Sequence, residues 1–154
     1  MWGMHEPLPQ QSRAREPGMT ALHEVPADEA SFMAFDFGLK RTGVAVGNRL
    51  MRMATAQTTI RAEGDARWPQ VAGRIAEWQP DALVVGVPFH PDGAEHENTR
   101  RARRFARQLR GRFGLPVYEV DERYSTTEAH AQGARDADAG AAAIILEQFL
   151  RSLP

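Results

Sequence analysis

From residue 31 onward the sequence predicts an α/β domain with a mixed sheet of five strands and helices on both faces, ordered β-β-β-α-β-α-β-α. Three observations predict it. Residues 32–37 and 42–47 are apolar runs of strand length joined by a short polar turn, which is the pattern of a hairpin. Residues 82–87, ALVVGV, form a continuous apolar run, as expected of a strand covered on both faces. Between and after these runs, apolar residues recur at helical spacing.

Taken in order, the Gly38–Arg41 stretch is the tight connection of the hairpin, and Thr55–Ile60, rich in threonine and alternating in character, is a third strand. Trp68, Val71, Ile75 and Trp78 then share one helical stripe, with Pro69 in the first turn and Pro80 past the end. After the apolar strand, which ends in Pro88, HPDGAEHEN reads as a loop. A long helix follows, carrying Ala102, Phe105, Ala106, Leu109 and Phe113 on one face, with Gly114 and Pro116 marking its end. Residues 116–122 give a last short strand, and residues 138–153 a last helix with Ile145, Leu146, Phe149 and Leu150 available for packing. The first strand takes a central place if it pairs with both its hairpin partner and the strand after the first helix.

Residues 1–30 contrast with this pattern. They hold several prolines and no sustained periodicity, and read as a flexible extension ahead of a domain at 31–154. Five acids against two arginines give them a charge of −3, so the rest of the chain carries +2 within the overall −1. Bulk charge therefore argues neither for nor against nucleic acid. The 154 residues suffice for one real core. No apolar run reaches the roughly 18 residues needed to span a bilayer, so no membrane partner is expected. The chain has no cysteine, which excludes disulfides and thiolate metal sites and makes a cytoplasmic address the default expectation.

One residue breaks the apolar logic: Asp36 lies in the first strand, FMAFDF. Burial of an isolated carboxylate demands a partner, a metal or a raised pKa. Glu122 ends the last strand and Asp138 begins the last helix, and strand carboxyl ends and helix amino ends are where ligands collect in α/β sheets. Three converging acids call for a hard cation, and without cysteine the expected one is oxygen-ligated Mg²⁺ or Mn²⁺. Ordinary roles stay open to each. Asp36 could accept hydrogen bonds from the following turn or pair with Lys40 or Arg41. Glu122 could pair with Arg123, and Asp138 could serve as an N-cap. Asp121 and Asp136 compete for the same positions.

The pieces DFGLKRTGVAVG, ALVVGVP, TRRARRFARQLRGRFGLPV, VDERYSTTEA and the D-x-x-A-A-A-x-I-L helix, in this order over residues 32 to about 150, closely resemble the YqgF/RuvX family. These are Holliday-junction-resolvase-like proteins also described as pre-16S rRNA nucleases. The resemblance implies a ribonuclease H-like fold and a catalytic and metal-binding trio of Asp36, Glu122 and Asp138. The implied reaction is metal-assisted phosphodiester hydrolysis, with pre-rRNA favoured as substrate, branched DNA as the alternative, and ribosomal precursor particles as an implied partner. A resolvase-type cut requires a homodimer, while single-strand cleavage needs only a monomer. ALVVGVP ends without an acid, which leaves that role to Glu122 on the neighbouring strand.

Lys40, Arg41 and Arg123 adjoin the acids in sequence and are candidates to hold backbone phosphates. Arg100, Arg101 and Arg104 belong to a broader basic helix face that reads either as a nucleic-acid contact or as solvated exterior. Two other classes stay open. Nucleotide-binding proteins of the actin and sugar-kinase type begin with a similar Asp-x-Gly hairpin but need a second domain. A non-catalytic RNA- or ribosome-binding module needs no metal at all.

Overall fold

The computed structural model describes residues 25–122 and 137–154, with the side chains of 137–139 outside the described set. Its strands are β1 (Ser31–Asp36), β2 (Arg41–Asn48), β3 (Ala54–Arg61), β4 (Ala82–Pro88) and β5 (Val117–Glu122). The helices are α1 (Arg67–Trp78), α2 (Glu97–Phe113) and α3 (Ala137–Ser152). The sheet order is β3-β2-β1-β4-β5, so β1 is central as expected. It runs antiparallel to β2 and parallel to β4, and β5 continues the parallel half. This mixed arrangement is that of the ribonuclease H-like fold.

The hairpin depends on Gly38, where a Cβ would sit 2.5 Å from the carbonyl oxygen of Arg41. Any side chain there would force the turn open. On the far side of the sheet, α2 is fixed at its start by a reciprocal cap. His96 Nδ1 accepts from the Asn98 amide at 3.1 Å, and Thr99 Oγ1 accepts from the His96 amide at 3.0 Å. The Thr99 hydroxyl also donates to the Pro88 carbonyl, which ties the beginning of α2 to the end of β4.

Strand alternation divides the core in two. Met33, Phe35, Val44, Leu83, Val85 and Val117 face α1 and α2. Phe105 is the hub of that side, with ring centres 5.6 Å from Phe35, 4.8 Å from Phe37 and 5.6 Å from Trp68. Truncating such a ring typically costs about 3–5 kcal/mol. Phe32, Ala34, Ala45 and Val84 face α3 on the other side, where Phe149 meets Phe32 at 5.1 Å and Tyr118 at 5.4 Å.

Residues 25–30, grouped above with the leading extension, lie against the domain. Val25 is buried in the α3-side core, and Arg49 donates to the carbonyls of Pro26 and Glu29 at 2.9 and 3.1 Å. Residues 1–24 lie outside the described residues. On α1 the apolar stripe is only partly used. Trp68 is buried, whereas Trp78 is 43% exposed and borders a surface hollow of about 380 Å³ with Met51, Met53 and Pro80.

Candidate active site at the carboxyl edge of the sheet

β1, β4 and β5 are parallel, so their carboxyl ends open on one edge. Phe35 pairs with Val85, which sets Asp36 on the next rung beside Gly86, and Gly86 pairs in turn with Val120 of β5. Glu122 stands two residues further along, opposite Pro88. Alternation puts Asp36, Gly86 and Glu122 on the same face, the one covered by α3. Asp121, the competing acid on β5, projects to the other face and is exposed.

Gly86 gives this arrangement its shape. A Cβ on Gly86 would clash with Cδ1 of Ile145 on α3 and would lie 3.6 Å from Oε2 of Glu122. The Glu122 carboxylate therefore lies beside the middle strand at Gly86. Glu122 is buried and Asp36 partly so. Two carboxylates on one face of this edge are oxygen donors of the kind a hard cation takes. The chemistry of the donor set fits such an ion.

α3 runs back over the sheet with its amino end toward this edge: Phe149 packs on Phe32 at the start of β1, while Ile145 lies over Gly86 at its end. Asp138 is in the first turn of α3, seven residues and about 10 Å of helix rise before Ile145. Its side chain, all of Arg123 and all of Asp136 lie outside the described residues. Among the described residues no group of three or more metal-ligating side chains gathers, and the described part of the candidate centre is the Asp36 and Glu122 pair.

The turn that leaves Asp36 is supported from α1. Arg67 is buried, donates to the Leu39 carbonyl at 3.0 Å, and places its guanidinium 4.7 Å from the centre of the Phe37 ring. Burial pushes its pKa below the ordinary arginine value, with Asp65 acting in the opposite direction. Lys40 and Arg41 are exposed on the same turn, at the edge that holds the acids. Neither Arg67 nor Gly86 was singled out from the sequence. The glycine inside the apolar run ALVVGVP was the available signal, since an isolated strand glycine often marks a close approach. Arg67 carried none.

The candidate arginines of α2 divide. Arg101 is engaged by its own helix, 2.8 Å from Glu97 and 3.2 Å from Asn98. Arg100 and Arg104 are exposed. Two further arginines of this helix, Arg103 and Arg110, approach the buried Glu119 of β5 at 3.6 and 3.8 Å.

The architecture defines the class: a small ribonuclease H-like domain with acidic side chains at the carboxyl edge of its sheet. The chain belongs to the RuvX family, whose model, described as a Holliday junction resolvase, matches residues 30–152. A protein of Albidiferax ferrireducens named "Putative pre-16S rRNA nuclease" is 68% identical over 150 residues, covering 97% of this chain and 96% of its own. A Polaromonas protein of the same name is 69% identical over 136 residues, covering 88% and 99%. Among solved structures, Thermus thermophilus RuvC in complex with a Holliday junction substrate aligns at 16% identity with a TM-score of 0.48, over 80% of this chain and 94% of that one. Among the described residues no helix is long and apolar enough to cross a membrane.

Proposed function

We propose that this protein is a metal-dependent nuclease that hydrolyses phosphodiester bonds and processes the 5′ end of pre-16S rRNA during ribosome maturation. The observation that carries the chemistry is the placement of Asp36 and Glu122 on one face of the carboxyl edge, on either side of Gly86. The names of the two close relatives favour the RNA substrate. The family description favours a second reading, cleavage of branched DNA.

Asp36, Glu122 and Asp138 would hold Mg²⁺ or Mn²⁺. When bound, such an ion supplies Lewis-acid stabilisation of the phosphoryl oxygens and an acidified water. Asp36 contributes a carboxylate fixed on the central strand, paired on both sides, so its position varies little. Glu122 contributes from the end of β5, where its own carbonyl accepts from the Phe89 amide at 3.1 Å and holds the strand end in register with β4. Asp138 contributes from the opening turn of α3. Lys40 and Arg41, with Arg123, hold the phosphates that flank the scissile bond. The unit responsible is the domain at 31–154, with residues 25–30 packed against it.

A side-by-side assay of the purified chain on precursor 16S rRNA and on a four-way DNA junction, with Mg²⁺ and with EDTA, tests both readings. Mg²⁺-dependent cleavage of the precursor alone supports the first, and cleavage of the junction alone replaces it with the second. Binding without cleavage of either leaves a non-catalytic module.

A further inference from the structure

The arginines of α2 are not equivalent. Arg101 pairs with Glu97, Arg103 pairs with Glu95 at 2.7 Å and stacks 5.3 Å from the Phe89 ring, and Arg110 donates to the Val117 carbonyl at 2.9 Å. Each has an intramolecular task. Arg100, Arg104 and Arg107 do not: all three are exposed, and among the described residues none has an ion pair or hydrogen-bond partner. Their spacing of four and three residues places them on one stripe, about 10 Å long. That stripe lies opposite the buried face formed by Ala102, Phe105, Ala106 and Leu109.

This stripe works against the helix that carries it. Like charges at i,i+4 and i,i+3 destabilise a helix. Arg100 also sits near the amino end, where the helix dipole disfavours a cation. Arg101 offsets its own cost through Glu97, but the stripe has no comparable return inside the fold. Its return must come from an anion outside. The amino end of the stripe lies at the carboxyl edge of the sheet, because Thr99, adjacent to Arg100, is hydrogen-bonded to Pro88 at the end of β4; the acids lie at the same edge, on the face opposite α2.

We infer that Arg100, Arg104 and Arg107 form a rail for the phosphodiester backbone of a nucleic-acid strand that leads to the carboxyl edge of the sheet. This rests on the nuclease reading for its direction toward the acids, but binding itself can be measured apart from cleavage. The rail excludes Arg101 and adds Arg107. Gly111 occupies the next position along the same stripe, and a Cβ there meets nothing within 4 Å, so the rail can be lengthened as well as removed.

The test is equilibrium binding of the full chain, in EDTA, to a fluorescent 20-nucleotide single-stranded RNA and to a four-way DNA junction over a range of KCl concentrations. Each phosphate contact contributes about 0.7 to the slope of log affinity against log salt for a single strand and about 0.9 for a duplex. Replacing Arg100, Arg104 and Arg107 together with Gln is expected to lower the RNA slope by about 2. Gly111→Arg is expected to raise it by about 0.7, and Arg101→Gln to leave it unchanged. Circular dichroism melts confirm that each variant is folded. A loss confined to one ligand identifies the strand the rail serves. An unchanged slope in the triple variant on both ligands, an equal loss in Arg101→Gln, or no binding by the natural sequence overturns the proposal. Normal rail behaviour without any cleavage in Mg²⁺ leaves the rail standing and removes the nuclease reading.

Discussion

At the amino end of β1, the carboxylate of Asp81 accepts from the amides of Ala30 and Ser31 at 2.8 and 3.0 Å, while the Asp81 amide donates to the Ser31 carbonyl at 2.9 Å. At the carboxyl end of the same strand, Asp36 and Glu122 stand on either side of Gly86. The first acid closes a backbone gap between two strand starts, and the Ser31 and Ala30 amides hold its pKa below the ordinary value of 3.8. The second pair lies beside a glycine that admits a packed side chain: Ile145 Cδ1 occupies the place a Gly86 Cβ would take, and Glu122 Oε2 is 3.6 Å from it. The first acid is recognised as structural by the backbone donors it collects. The second pair shares one face of the edge where three parallel strands end.

Four variants break or sharpen that contrast. Asp36→Asn removes charge and keeps shape. Outer-shell groups around a metal are worth roughly 10- to 100-fold, so losing a ligand is expected to cost more than about 100-fold in Mg²⁺-dependent cleavage, with the melting temperature unchanged. Full activity in this variant would reduce Asp36 to a structural acid like Asp81. Gly86→Ala is expected to destabilise by about 1–3 kcal/mol through overpacking against Ile145. Adding Ile145→Val should restore part of that stability while cleavage stays at least about 10-fold low, because the added methyl still lies beside Glu122 Oε2. Recovery of both together would mean that the glycine serves packing alone.

Arg67→Met keeps an unbranched side chain beside Phe37 but removes the hydrogen bond to Leu39. Cleavage is expected to fall severalfold with little change in stability, since a desolvated charge is exchanged for an apolar group. At the other end of β1, Asp81→Ala is expected to cost about 1 kcal/mol and leave cleavage intact. Because the folded pKa of Asp81 is depressed, its contribution is present above the unfolded value of 3.8 and is lost as pH falls through the lower folded value. Denaturation curves of the natural and Asp81→Ala proteins should therefore differ at neutral pH and converge below the ordinary aspartate range.

The strands and helices were legible because their signals are local. Apolar runs of strand length, helical spacing in 67–78 and 97–113, and glycine or proline at the ends all act within a few residues. The acids were legible as anomalies: Asp36 stands out only because the residues before it are built for a core. The neighbourhood of Glu122 and Gly86 was not legible, because it depends on sheet register between strands about 35 residues apart. The division of the arginines was hidden for a similar reason, since Glu119, which engages Arg103 and Arg110, belongs to a different element. Residues 25–30 looked like part of a tail because their attachment runs largely through main-chain groups, such as the carbonyls of Pro26 and Glu29, which leave no mark in side-chain composition.

The carboxyl end of α3 is gripped by a single residue of the β2–β3 connection: Arg52 donates at 3.0 Å to the carbonyls of both Leu150 and Leu153. Further back the same helix is held by packing, with Ile145, Leu146 and Phe149 buried against the sheet. Loss of the Arg52 guanidinium would therefore fray the last turn of the helix first and leave its packed middle in place.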